Sequence, residues 1–285
     1  MTGKLYAQIE DALGKRPQRH QALHGGMIGE VYAVDLAGGQ RIVAKVSRDS
    51  HAILGIEAYM LRYLRENSRF PVPEVLFNTD TLLLMTFIEG SSQLNSSVQR
   101  HAADLLADLH NVSAADFGLD RATVIGILPQ PNPWTASWID FFRDHRLLHM
   151  AKLAHQDGPL PPAMFARIEK LAGQLERWLL EPDQPSLIHG DMWTTNVLAH
   201  NGQVTGFVDP ATYFGHAEIE LAYSTLFGTF GEAFFQRYHE RRPIAPGFFE
   251  ERRDLYNLYP LLVHVRLFGG GYVGSVDRVL RRYGV

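Results

Sequence analysis

Residues 186–216 read SLIHGDMWTTNVLAHNGQVTGFVDPATYFGH, and this stretch decides the fold. His189-Gly190-Asp191 is followed by Asn196 and then by Asp209. Asn201-Gly202 between two short apolar runs predicts a tight hairpin turn. Asp191 and Asn196 then lie in the loop ahead of the hairpin, and Asp209 ends its second strand. One β-turn thus brings together a carboxylate, an amide and a second carboxylate. Phosphoryl transfer from ATP needs such a set. One carboxylate takes or orients the attacking hydroxyl, while an amide and another carboxylate hold Mg2+ on the phosphates. The spacing H-x-D-x-x-x-x-N is that of a kinase catalytic loop. Any one of these residues alone reads as a cap or turn residue; the three in register do not.

A phosphate-binding half is expected upstream. In HGGMIGEVYAVDLAGGQRIVAKVS (24–47), VYAVDL and RIVAKV flank Ala37-Gly38-Gly39-Gln40, the signature of a β-hairpin. Lys45 sits in VAKV with apolar neighbours on both sides, where a lone ammonium is costly to bury. Glu57 falls inside the apolar arc of a helix that carries Ile53, Ile56, Met60, Leu61 and Leu64. A Lys45–Glu57 ion pair resolves both anomalies and sets the ammonium near the α- and β-phosphates. The rival reading has Lys45 snorkelling and Glu57 in solvent. Gly25, Gly26 and Gly29 precede the first strand and would let main-chain amides approach phosphate, although they form neither G-x-G-x-x-G nor a Walker A motif. In the strand TLLLMTFIEG (81–90), Thr86 and Ile88 offer the carbonyl and amide to an adenine ring, against the reading of an ordinary buried strand end.

Beyond about residue 89 the pattern turns helical. Ser96 or Ser97 is expected to cap a helix with the stripe Val98, Ala102, Leu105, Leu106 and Leu109. Segment 112–134, rich in Gly and Pro, reads as irregular. Helices are expected from Trp138 to about Ala154, over Ile168 to Trp178, and from Glu218 to the end. The expectation is an α+β, bilobal fold, with a small β-rich lobe over residues 1–88 and a helical lobe over 89–285.

Composition narrows the partners. Of 285 residues, 46% are apolar and 20% charged, as in ordinary globular chains. Lys and Arg number 27 against 31 Asp and Glu, so no basic surplus points to nucleic acid. There is no cysteine, which excludes disulfides, thiolate zinc sites and a cysteine nucleophile. No uncharged apolar run reaches the roughly 18 residues of a membrane span; Val124–Ile139 is broken by Pro129, Pro131 and Pro133. The N-terminus has no apolar signal core. A cytoplasmic monomer acting on a small molecule is expected.

LIHGDMWTTNVL followed by FVDPATYFGHAEIELAYSTLFGTF resembles the fructosamine kinase (ketosamine-3-kinase) family, relatives of the aminoglycoside and choline kinases. FGLDRATVIGILPQPNPWTASWIDFF (117–142) and YHERRPIAPGF (238–248) extend the likeness over nearly the whole chain. The resemblance implies a protein-kinase-like fold and ATP-dependent phosphorylation of a ketosamine's sugar 3-hydroxyl, with a part in deglycation. It implies Asp191 as base, Asn196 and Asp209 as Mg2+ ligands, and Lys45 with Glu57 as the phosphate-positioning pair. Two positions depart from the family pattern: Met27 stands where some members have cysteine, and Glu220 where many have aspartate.

On the substrate side, Trp193 is a candidate for stacking on the sugar or its amine, against a plain core tryptophan. His216 and Glu218 could shape the same pocket or bond within their own loop. Rival functions are a kinase for another amine-alcohol (aminoglycoside, choline or homoserine), a metal-dependent phosphoesterase built on the His and Asp residues, or a nucleotide-binding pseudokinase.

Overall fold

A computed structural model describes residues 2–23, 29–47 and 53–285. Helix α1 (Thr2–Leu13) leads into a five-stranded antiparallel sheet. Its strands are β1 (Pro17–Ala22), β2 (Glu30–Leu36), β3 (Arg41–Val46), β4 (Val75–Asn78) and β5 (Leu82–Thr86), ordered β1-β2-β3-β5-β4. The expected hairpin is β2–β3, with Glu30 opposite Val46 and Asp35 opposite Arg41. β1 carries no apolar alternation; it is a largely exposed edge strand, and polar residues suit such an edge.

Successive strand residues face opposite sides of a sheet, and that parity aims Lys45. Ile42 and Ala44, with Val34, Leu82 and Leu84, pack on Leu5 and Ile9 of α1. Val43, Leu83 and Met85 belong to the opposite face, against α2 (Ile53–Asn67) and the large lobe. Lys45 shares the parity of Val43 and lies opposite Leu83, so its side chain emerges toward α2.

The large lobe holds α3 (Ser96–His110), the ribbon β6 (Thr123–Ile125) and β7 (Leu128–Gln130), α4 (Trp138–Phe142), α5 (His149–Gln156) and α6 (Pro162–Ala172). Next come β8 (Ser186–Ile188), β9 (Val197–His200), β10 (Gln203–Phe207) and β11 (Tyr213–Gly215), then α7 (Ala217–Leu226), α8 (Glu232–Arg241), α9 (Arg253–Tyr256), α10 (Leu258–Phe268) and α11 (Val273–Arg282). Three local expectations are corrected. Asn95, not Ser96 or Ser97, caps α3: its side chain accepts from the N–H groups of Ser97 and Val98 at 3.0 Å each. Segment 112–134 is not wholly irregular, because Thr123 pairs with Gln130 and Ile125 with Leu128. The helix expected to reach Trp178 stops at Ala172, where Gly173 follows, and resumes only as a single 3-10 turn over Leu175–Arg177.

The two lobes share apolar surface. Phe70, just after α2, stacks on Phe207 of β10 at 4.1 Å between ring centroids, and the Phe207 N–H donates to Pro71 O at 2.8 Å. Ser91 pairs with Ala199 where the chain crosses into the large lobe. One apolar cluster contains Leu61 of α2, Met85 of β5 and Leu106 of α3. Among the described residues no helix is long and apolar enough to cross a membrane.

Candidate active site

β8 pairs with β11 in antiparallel register, Ile188 opposite Tyr213 and Ser186 opposite Gly215. The loop 189–196 leaves β8 at the Tyr213 end. β9 and β10 form the predicted hairpin, with positive φ at both Asn201 and Gly202, as a two-residue turn requires. The chain then reaches Asp209, itself at φ 55.

These elements bring Asp191, Asn196, Asp209, Lys45 and Glu57 to one place. The Asn196 side-chain amide donates to Asp191 O at 2.9 Å and to the Asp191 carboxylate at 3.0 Å. That orientation leaves the Asn196 Oδ1 pointing its lone pairs elsewhere. Lys45 Nζ bonds Glu57 Oε1 at 2.6 Å and also Asp209 Oδ1. The ammonium therefore ties β3, α2 and the end of β10 together. Lys45 and Glu57 are buried, while the Asp209 side chain keeps 34% of its surface. Burial works against the Lys45 charge, but Asp209 and Glu57 outweigh it and hold its pKa above the usual range. Burial pushes the Glu57 carboxyl up, against the pull of Lys45.

Burial also pushes the Asp191 carboxyl up to about 7, with the Asp209 charge adding to the rise; bonds from Tyr223 and Asn196 oppose it. A carboxylate near neutrality suits proton acceptance from a hydroxyl. Two oxygen donors, the Asn196 amide oxygen and the half-exposed Asp209 carboxylate, are hard ligands of the kind Mg2+ takes while keeping water and phosphate oxygens. The donor set thus fits that ion. The phosphoesterase reading fits less well. Among the described residues no group of three or more His, Cys, Asp or Glu is arranged to hold a metal ion.

The loop is held from beneath. His189 Nε2–H donates to Val208 O at 3.0 Å, and Nδ1 accepts the Asp191 N–H at 3.3 Å. Burial keeps this imidazole neutral. Glu220 accepts the N–H of Gly190 at 2.6 Å and of His189 at 3.1 Å, and pairs with His110 Nε2 at 2.9 Å. The Glu220 arm spans from α7 to the loop. Gly190, at φ 88, is obligatory, since a Cβ there would lie 2.1 Å from Ala211 O.

Gly29 is equally constrained: at φ 69 its Cβ would meet Val46 O at 2.0 Å, beside Lys45. Gly25 and Gly26 lie outside the described residues. Thr86 ends β5 with its N–H given to Glu74 O, so that amide is not open to a base. Ile88 packs across the lobe junction, where a Cβ on Gly206 would sit 2.3 Å from its Cδ1.

Of the two readings open for His216 and Glu218, the structure shows bonding within their own segment. His216 and Glu218 follow Gly215, at the end of the β8–β11 ribbon away from Asp191. His216 is the N-cap of α7, its Nδ1 accepting the Glu218 N–H at 3.1 Å. Glu218 is committed to a buried two-pronged pair with Arg252, at 2.7 Å for each bond. Trp193 does lie beside the loop, where its ring meets Phe227 at 6.3 Å. Phe227 continues to His264 at 4.9 Å, and His264 to Phe268 at 5.3 Å and Tyr272 at 4.9 Å. Phe227 and Phe268 are exposed. This aromatic wall escaped sequence reading because the chain from Glu218 onward read only as helical. The signal present was an aromatic at each helix end followed by glycine, Phe227-Gly228 and Phe268-Gly269.

A fructosamine kinase family model matches residues 1–284. The chain belongs to the fructosamine kinase family. A Synechocystis sp. protein carrying the name ketoamine kinase is 33% identical over 96% of this chain and 94% of its own length. A protein-ribulosamine 3-kinase of Oryza sativa subsp. indica is 33% identical over 92% of this chain and 78% of its own. A Thermobifida fusca crystal structure described as a fructosamine-3-kinase superposes with a TM-score of 0.85 at 29% identity, covering 97% of this chain and 98% of that one. The fold is also that of aminoglycoside phosphotransferase APH(4)-Ia in complex with ADP and hygromycin B, with a TM-score of 0.71 at 18% identity over 99% of both chains. The fold class is thus the α+β, protein-kinase-like one.

Proposed function

We propose that this fructosamine kinase family member transfers the γ-phosphoryl group of ATP, with Mg2+, to the sugar 3-hydroxyl of a ketosamine. The observation that carries this reading is the Lys45 ammonium bonded to both Glu57 and Asp209, within a site that also holds Asp191 and Asn196. Lys45 positions the phosphates, and Glu57 aims it. Asn196 Oδ1 and Asp209 would hold the ion, which neutralises charge on the phosphate oxygens when bound. Asp191 accepts the hydrogen bond of the attacking hydroxyl and takes its proton as the new P–O bond forms. Gly29, tight against Val46 O beside Lys45, would let the main chain there approach a phosphate. Ile88 and the main chain after Thr86 border the adenine.

The acceptor lies against the aromatic wall. Trp193 and Phe227 offer π-faces to a sugar and its cationic amine, an attraction of about 0.5–2 kcal/mol per contact. His264 Nδ1 donates to Pro260 O at 2.7 Å, which leaves Nε2 as an acceptor. The names ketoamine kinase and protein-ribulosamine 3-kinase among relatives support a ketosamine over choline, homoserine or an aminoglycoside.

The test is ATP consumption with Mg2+ on fructosyl-lysine, ribulosyl-lysine, choline, homoserine and an aminoglycoside, with Asp191→Ala alongside. Turnover confined to the ketosamines, and lost in the variant, is expected. Turnover on another amine-alcohol alone would overturn the substrate assignment, and ATP binding without turnover on any acceptor would favour a pseudokinase.

A further inference from the structure

At the end of the β8–β11 ribbon away from Asp191 lies a cavity of about 610 Å3. That is within the range of small-molecule sites. Arg242 and His216 line it beside three acids, Glu181, Asp183 and Glu218, with Leu180, Leu221 and Ile244 on its apolar side. Two features of the polar side are unusual.

The first is Arg242. Its guanidinium donates only to neutral oxygens: His110 O and Asn111 Oδ1 at 2.8 Å and Ser186 Oγ at 2.9 Å. Among the described residues it pairs with no carboxylate. The second is His216. With Nδ1 accepting the Glu218 N–H, the proton of the neutral ring sits on Nε2. The nearest carboxylate oxygen, on Glu218, is 3.9 Å from Nε2, beyond hydrogen-bond reach. A donor and a cation thus line one side of the same space. Burial keeps His216 neutral, and the Arg242 charge acts in the same direction.

The three acids are not paired with Arg242. Glu218 is neutralised by Arg252. Glu181 turns its oxygens onto the first turn of α4, accepting from Ser137 Oγ at 2.6 Å, Trp138 N at 2.7 Å and Ile139 N at 3.0 Å. Asp183 is exposed at the cavity's edge.

We propose that this cavity binds a small organic anion, its carboxylate or phosphate group held by Arg242 and the His216 Nε2–H and its apolar part by Leu180, Leu221 and Ile244. A carboxylate or phosphate accepts from Arg and from an imidazole N–H through charge-assisted bonds. The apolar lining selects against a bare inorganic ion.

Benzoate and phenyl phosphate, with benzylamine as the cationic counterpart, are the probes for titration calorimetry on the wild-type protein. Both anions are expected to bind in the millimolar range or tighter, and benzylamine not to bind. Arg242→Met should weaken both anions by about tenfold or more. Because Arg242→Met also removes bonds to α3 and β8, Ile244→Trp serves as a second variant. It fills the apolar side, leaves those bonds in place, and should block binding. Trp193→Ala, at the reaction centre, should leave binding unchanged. No binding of either anion to the wild type, binding unaltered by Ile244→Trp, or loss in Trp193→Ala would each overturn the proposal.

Discussion

The Glu220 carboxylate accepts the main-chain N–H of Gly190 at 2.6 Å, one residue before Asp191. The segment that carries Asp191, the proposed base, is thereby fixed to α7 through a buried acid. Glu220 also holds His189 N and His110, and burial of all these groups makes each unpaired donor costly, at about 1–3 kcal/mol. Glu220→Ala is expected to lower stability by several kcal/mol, measured by urea unfolding. Glu220→Gln keeps the acceptor oxygen and the shape, and should lower kcat more than the KM for ATP in steady-state assays.

Asp191 and Asp209 are separable by what their loss removes. Asp191→Ala should cut kcat by about 10²-fold or more and leave nucleotide affinity near wild type, since Lys45, Asn196 and Asp209 remain. Asp209→Ala takes away an ion ligand and a partner of Lys45, and should abolish Mg2+-dependent nucleotide binding by calorimetry. Near-normal turnover in Asp191→Ala would refute its assignment as base.

With its pKa raised to about 7, Asp191 is protonated below neutrality and cannot accept a proton there. kcat/KM should fall tenfold per pH unit as pH drops below about 7, in a profile taken from pH 5 to 9. The amide of Asn196 favours the charged form, so Asn196→Ala should move this acid limb to higher pH.

Stability should also decline on the acid side. Burial lowers the pKa values of His110, His189 and His216, the last to about 3. The unfolded chain takes up protons below about pH 6.5, while the folded protein does not. Their contribution is therefore complete above that pH and is lost as pH falls toward the folded values, at about 1.4 kcal/mol per pH unit for each histidine. Urea midpoints compared at pH 7.5 and 5.5 check this. His216→Asn keeps a good helix cap without a titrating ring and should flatten the dependence.

Much of the proposed reaction centre was legible because its residues sit on rigid spacing. H-x-D-x-x-x-x-N and a strand-ending Asp lie within one loop and hairpin, so local sequence sets their mutual geometry. Lys45 and Glu57 were legible for a different reason. Each is a charge on an apolar face, and two such misfits on neighbouring elements imply one another. The β2–β3 hairpin and the helix after it followed from apolar periodicity, while the kinase-like fold was what the catalytic-loop spacing and the family resemblance implied.

What only the tertiary structure decided lies where long-range packing chooses a side chain's partner. Nothing local says that Glu218 spends its charge on Arg252, or that Glu220 rather than Glu218 reaches the catalytic loop; the two are two residues apart on α7 and point to different neighbours. His216 and Trp193 both sat near catalytic residues in sequence. The register of β8 on β11 sends His216 to the far end and leaves Trp193 beside Asp191. The aromatic wall joins the end of α7 to the end of α10, and their meeting is a product of helix packing. Sequence by itself determined which residues of the loop and hairpin meet at the proposed reaction centre, because spacing along one chain segment fixes them. The surroundings of those residues were decided by the burial of distant apolar faces against one another.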